Sequence, residues 1–132
     1  MSNGNVLVVD DEDLMCDLIE QVLTMKDYSI TTMISSTEAL EEIKQKKDYD
    51  IIVADIRMPK VSGIDLLRAS NEQNMNYQFI LITGFYNLLA PDALESLKPF
   101  AFLKKPFDIN LLVKTVDEAV QKKRELDSGK SE

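Results

Sequence analysis

Five short apolar runs punctuate the chain, at residues 6–9, 29–33, 51–54, 79–82 and 100–103. Several are apolar without a break, the pattern of strands buried on both faces. The segments between them follow a longer period. Leu14, Leu18, Val22 and Met25 recur at helical spacing, with Met15 and Ile19 beside them. Ala39, Leu40 and Ile43 form a second stripe, and Ile64 and Leu67 begin a third. Ile109, Leu112, Val113, Val116 and Val120 form the last and clearest one. Strand alternating with helix predicts an α/β domain, a parallel sheet covered by helices on both faces. Helix-start signals agree. Ser36, Thr37 and Glu38 precede the second helix, Ser62 precedes the third, and Asp108 stands where the last needs an N-cap.

The length of 132 residues suits one domain, and 45% hydrophobic residues supply a core for it. Residues 1–126 are read as that domain. Residues 127–132 are polar and read as a flexible tail or the start of a linker. The formal charge of −8 argues against direct nucleic-acid binding, which needs a basic face. It favours basic partners or cations. No apolar run approaches the ~18 residues of a membrane span, and the N-terminus lacks the pattern of a secretion signal. Cys16, the single cysteine, cannot form an internal disulfide, so a reducing cytoplasm is the expected location. The chain contains no histidine. Phosphate chemistry here must therefore use carboxylates, hydroxyls or lysines, and any phosphohistidine donor is another molecule.

Parallel strands deliver their C-terminal ends to one edge, where open α/β folds bind ligands. The first run is closed by Asp10 and Asp11, followed by Glu12 and Asp13. The third is closed by Asp55, the fourth by Thr83 and Gly84, the fifth by Lys104, Lys105 and Pro106. Grouped carboxylates favour a hard divalent cation such as Mg²⁺. A carboxylate can act as nucleophile toward phosphorus, while a hydroxyl and an ammonium hold the remaining oxygens. Gly84 leaves space beside Thr83. Each residue alone has a plainer reading. Asp13 suits helix capping, Asp10 and Asp11 a solvated turn, Asp55 a cap or loop, Thr83 a local hydrogen bond and Lys105 a solvated surface. The joint pattern over four strand ends is what points to phosphoryl transfer.

Taken in order, Val6-Leu7-Val8-Val9-Asp10-Asp11-Glu12, Asp55-Ile56-Arg57-Met58-Pro59 with Gly63 following, Ile82-Thr83-Gly84 and Phe102-Leu103-Lys104-Lys105-Pro106-Phe107 resemble the receiver domain of two-component response regulators. The resemblance covers residues 5 to about 122. It implies a flavodoxin-like, doubly wound five-stranded sheet of order 2-1-3-4-5. It also implies a signalling switch that takes a phosphoryl group from a histidine kinase or phosphotransfer protein. Such a domain is no enzyme beyond weak autophosphorylation and autodephosphorylation. On this resemblance Asp55 accepts the phosphoryl group, and Asp10, Asp11, Asp55 and the main-chain carbonyl of Arg57 hold Mg²⁺ or Mn²⁺. Thr83 and Lys105 bind phosphoryl oxygens, the Lys105-Pro106 bond is cis, and Phe102 turns inward when Thr83 moves. The face around residues 85–102 would meet an output domain or protein partner, and a phosphorylation-dependent homodimer is compatible with the family. Side chains at Arg57 and Phe85 would flank the path of the hydrolytic water.

Some positions depart from the family pattern. Phe102 replaces a common tyrosine and has no hydroxyl. Pro91 falls where a longer fourth helix would run, so a short helix is expected from Ala90 or Pro91 to Leu97, after an apolar loop over 85–89. Lys98-Pro99 stands where a glycine turn is common. Three other functions compete. An aspartate-nucleophile phosphohydrolase would use Asp11 and Asp13 but leaves Asp55 and Lys105-Pro106 unexplained. A flavodoxin-like cofactor binder would need a Ser/Thr/Gly-rich first loop, which is missing. A degenerate receiver acting only as an interaction module would not need the intact acidic, threonine and lysine set.

Overall fold

The computed structural model describes residues 2–84 and 97–129. Within them five parallel strands form one sheet: β1 (Asn5–Val9), β2 (Ser29–Met33), β3 (Ile51–Asp55), β4 (Gln78–Thr83) and β5 (Ala101–Lys104). Four helices are described: α1 (Asp13–Thr24), α2 (Ser36–Lys44), α3 (Gly63–Glu72) and α4 (Ile109–Asp127). The strand order is β2-β1-β3-β4-β5. The chain thus crosses outward from β1 to β2, then returns past β1 to build the other half. That reversal opens a crevice between the ends of β1 and β3, the usual ligand position in this doubly wound architecture.

Alternate side chains feed two cores, one on each face. Val6, Val8, Val53, Ile80 and Ile82 pack with Ile19, Leu23, Leu112 and Val116 under α1 and α4. Leu7, Val9, Ile52, Ala54, Phe79 and Leu81 pack with Ala39, Ile43, Leu66 and Leu67 under α2 and α3. This is why β1, β3 and β4 read as unbroken apolar runs. The edge strand β2 is only partly covered and carries Thr31 and Thr32 outward.

Several expectations are corrected. The stripe assigned to α1 faces the wrong way. Leu14 and Met25 are 83% and 82% exposed, while Cys16, Ile19 and Leu23 are buried. Ile109 is exposed, since it stands at the mouth of α4 before the helix meets the sheet. The α2 cap is Ser35, whose hydroxyl accepts from the Glu38 N–H, and Ser36 is already inside the helix, donating to the Pro59 carbonyl at 2.8 Å. The Ser62 cap is found, reciprocated by Asp65 in a capping box, and Asp108 caps α4 through the Asn110 N–H. Asp13 lies in the first turn of α1 and does not cap it. Helix α4 continues to Asp127, one residue into the expected tail. Lys98, at the expected glycine turn, adopts a left-handed φ of 54°. The loop over 85–89 and the short helix, except for Leu97, lie outside the described residues. Among the described residues no helix is long and apolar enough to cross a membrane.

Gly63 seats α3 directly on the end of β3. Its N–H donates to the Ile56 carbonyl at 3.0 Å. A Cβ added there would lie 2.6 Å from the Asp55 carbonyl oxygen and 3.1 Å from the Ile56 Cα, both main-chain atoms that cannot rotate away. Gly63→Ala is therefore expected to destabilise the fold by roughly 1–3 kcal/mol and to shift the backbone at Asp55. Urea unfolding and amide chemical shifts around Asp55 measure the two effects. A wild-type midpoint with unmoved shifts would contradict this packing.

Candidate functional site

Strand pairing sets where each polar side chain emerges. Val9 pairs with Ala54, Asp55 with Ile82, and Thr83 with Lys104, so the ends of β1, β3, β4 and β5 finish at nearly one level. The Asp10 N–H extends the ladder to the Met33 carbonyl, and the Lys105 N–H does the same to the Thr83 carbonyl at 2.8 Å. Asp10, Asp55 and Thr83 are buried, whereas Asp11 lies at the surface. The carboxylates of Asp10, Asp11 and Asp55 bring oxygen atoms within 4.8 Å of one another. Lys105 Nζ donates to Asp55 Oδ2 at 3.1 Å, Glu12 Oε1 at 3.1 Å and Asp10 Oδ2 at 3.4 Å. Arg57 donates its backbone N–H to Asp55 Oδ1 at 3.3 Å, and its exposed side chain lines the pocket mouth. The pocket holds about 340 Å³ and is lined by Asp11, Glu12, Asp55, Arg57, Gly84 and Lys105. Among the described residues, a Cβ added at Gly84 would meet only Lys105 Cβ, at 3.8 Å. The Lys105-Pro106 bond is cis, as the resemblance implies.

The family model for the response regulator receiver domain matches residues 6–117. The chain belongs to that family. This receiver domain is 32% identical over 120 residues to the DNA-binding transcriptional regulator NtrC of Klebsiella pneumoniae, covering 91% of this chain and 25% of NtrC. It is 31% identical over 121 residues to the transcriptional regulatory protein FixJ of Rhizobium meliloti, covering 90% of this chain and 58% of FixJ. It therefore spans well under two thirds of these relatives' own length. Among solved structures it resembles a response regulator receiver domain protein from Clostridium thermocellum, with a TM-score of 0.81, 29% identity and coverage of 93% of this chain and 98% of that one. The receiver domain is a signalling module of two-component systems.

Receiver domains bind Mg²⁺ at an acidic pocket, and the donor set here fits such a hard cation, with three carboxylates offering oxygen alone. Burial pushes the Asp10 carboxyl up to about 6. The Glu12 N–H and the Lys105 ammonium pull it down, and the neighbouring Asp55 charge adds to the rise. Desolvation outweighs like-charge crowding. At Lys105, burial disfavours the charge, but the hydrogen bond to Glu12 and the charges of Asp10 and Asp55 outweigh it, so the ammonium titrates above the ordinary lysine range.

Two contacts have no signal in the sequence. One joins Glu12 to Lys105. The other is the buried Cys16 thiol, which donates to the Asp10 carbonyl at 3.3 Å. Burial, with help from the Asp10 charge, pushes that thiol up to about 11, so it acts as a packed support for the loop and not as a nucleophile. Phe85, expected to flank the site, lies outside the described residues.

Asp10 binds its proton more readily folded than unfolded, where its value is 3.8. The folded state therefore loses stability as pH rises from about 4 to above 6 and Asp10 ionises in its buried place. Asp10→Asn carries no such cost. Without divalent metal, its stability relative to wild type is expected to improve between pH 4 and pH 7 by up to about 3 kcal/mol. Urea unfolding at both pH values measures it. A difference that does not change with pH would show that Asp10 is not desolvated as described.

Proposed function

We propose that Asp55 is the phosphoacceptor and that Asp10, Asp11, Thr83 and Lys105 serve its transfer chemistry. One observation carries this reading. Asp55 stands at the end of the central strand with Oδ2 on the Lys105 ammonium, and its carboxylate clusters with those of Asp10 and Asp11. Nucleophile, cation site and charge-stabilising donor thus converge on one opening.

Asp10, Asp11, Asp55 and the Arg57 carbonyl would hold Mg²⁺ or Mn²⁺, which when bound offsets the negative charge of carboxylate and phosphoryl oxygens. An Asp55 oxygen attacks the phosphorus of a phosphohistidine on a partner kinase or phosphotransfer protein. The O–P bond forms, the P–N bond breaks, and the leaving imidazole takes up a proton from water. Lys105 and Thr83 then hold phosphoryl oxygens. Weak autophosphorylation follows when a small acyl phosphate replaces the phosphohistidine, and slow autodephosphorylation when water attacks the same phosphorus. Arg57 at the pocket mouth restricts that water. The switched output surface is assigned to residues 85–102, where Phe102 packs half-buried against the core. A cytoplasmic site of action agrees with the single buried thiol of Cys16. The working unit extends to Asp127, where α4 ends, and the residues beyond serve as tail or linker.

Acetyl phosphate with Mg²⁺ is expected to add one phosphoryl group to the wild-type protein and none to Asp55→Asn, as read by intact mass. Labelling of the variant at the wild-type level would remove Asp55 from this role.

Asp11→Ala removes a direct carboxylate ligand and is expected to weaken Mg²⁺ binding by roughly tenfold or more. Calorimetric titration of the unphosphorylated protein decides it, and wild-type affinity in the variant would place the cation elsewhere.

A further inference from the structure

Glu12 belongs to neither the cation ligands nor the phosphoryl-binding pair, yet it reaches the lysine that both depend on. Glu12 Oε1 lies 3.1 Å from Lys105 Nζ, equal to Asp55 Oδ2 and nearer than Asp10 Oδ2 at 3.4 Å. An ammonium has three donors, and here it faces three carboxylates. The three are not equivalent. The side chains of Asp10 and Asp55 are 2% and 10% exposed, whereas that of Glu12 is 64% exposed and meets the ammonium from the rim. The Glu12 backbone is tied down. Its N–H donates to Asp10 Oδ1 at 2.9 Å, and its carbonyl accepts from the Met15 and Cys16 N–H groups at the start of α1.

We propose that Glu12 is a positioning residue for phosphoryl transfer, holding the Lys105 ammonium at the pocket rim while it moves from Asp55 to the arriving phosphoryl group. This rests on Asp55 being the acceptor. Before transfer the ammonium is bonded to Asp55 Oδ2. As an Asp55 oxygen bonds to phosphorus, the carboxylate loses its charge and the ammonium must turn to phosphoryl oxygens. Asp10 holds it poorly through that move, because the same carboxylate serves the cation site. Glu12 lies outside the cation cluster and keeps its acceptor free for Lys105 throughout. Its side chain makes no cap hydrogen bond to α1, so truncation leaves the helix start intact. An ion pair so exposed on one side contributes little to stability, and its effect should appear in rate instead.

Two other accounts make opposite forecasts. A Glu12 that acts by charge alone would repel an anionic donor, and both Glu12→Gln and Glu12→Ala would then react faster than wild type. A Glu12 that is only solvated surface would leave rates unchanged. The experiment measures initial rates of Asp55 phosphorylation against acetyl phosphate concentration at saturating Mg²⁺, for wild type, Glu12→Ala and Glu12→Gln. The ¹⁵N signal of the Lys105 ammonium is recorded on the metal-free, unphosphorylated proteins. Glu12→Ala is expected to lower the maximal rate by roughly threefold to tenfold, the loss of one hydrogen bond's hold. Its half-saturating donor concentration and thermal midpoint should not change, and the ammonium signal should broaden. Glu12→Gln keeps an oxygen acceptor in place and should recover about half or more of the wild-type rate. The proposal is overturned by a Glu12→Ala rate at or above wild type, by a Glu12→Gln protein as slow as Glu12→Ala, or by an unchanged ammonium signal. If the wild-type protein is not labelled at Asp55, the acceptor assignment fails instead, and the ammonium spectra still report whether Glu12 holds Lys105.

Discussion

Carboxylates crowd the C-terminal edge of the sheet, and one ammonium stands among them. Lys105 Nζ contacts Asp10, Asp55 and Glu12 within 3.4 Å, and the first two of these carboxylates are buried. Ionised carboxylates in such a place are costly unless paired and hydrogen-bonded. The pairing is possible because β5 lies beside β4 in the register that places Leu103 level with Asp55, so Lys105 stands two residues beyond it and its side chain reaches back over the carboxylate. The Lys105 N–H bond to the Thr83 carbonyl fixes the stem from which the side chain reaches across. Without that crosslink the ends of β1 and β3 would present unbalanced negative charge to one another.

The compensation is incomplete. One ammonium stands against three or more carboxylates, an oxygen donor set that fits a hard divalent cation. Asp10 shows the residual cost most clearly, with its carboxyl held near 6 chiefly by burial. The surrounding frame carries that cost. Val6 to Val9 and Ile51 to Ala54 are all buried, with helices on either side, and the glycine start of α3 presses on the last residues of β3. Asp55 is thus mounted at the end of a fully buried central strand while its carboxylate faces an opening. Such a mount suits the proposed nucleophile, because position and not strong acid–base chemistry governs phosphoryl transfer.

Much of the site was legible because its residues directly follow apolar runs. An aspartate after Ile51-Ile52-Val53-Ala54 falls at a strand end whichever helix packs beside it, and the same holds for Asp10 and Thr83, whereas Lys105 stands second after its run and is marked out by the Pro106 that follows it. Strand limits moved by a residue where pairing extends beyond the apolar run, as when Asp55 joins β3 opposite Ile82. The face of α1 was not legible. Leu14, Leu18, Val22 and Met25 satisfy helical spacing as well as Cys16, Ile19 and Leu23 do. The helix carries two apolar stripes, and periodicity alone does not choose between them.

The sequence by itself determined the alternation of strand and helix, hence the parallel sheet, and with it the edge to which Asp10, Asp55, Thr83 and Lys105 are delivered. These are local properties, set by which residues prefer burial and by the fact that parallel strands share one direction. Only the tertiary structure decided which stripe of α1 is buried, that Ser35 and not Ser36 caps α2, that the Cys16 thiol supports the Asp10 carbonyl, and that Glu12 shares Lys105 with Asp10 and Asp55. Apart from the α2 cap, which is a choice between neighbouring residues, each of these depends on the distance between groups on different elements. Glu12 and Lys105 are separated by 93 positions in the chain, and only the packed order β2-β1-β3-β4-β5 brings a carboxylate after β1 within hydrogen-bond reach of an ammonium after β5.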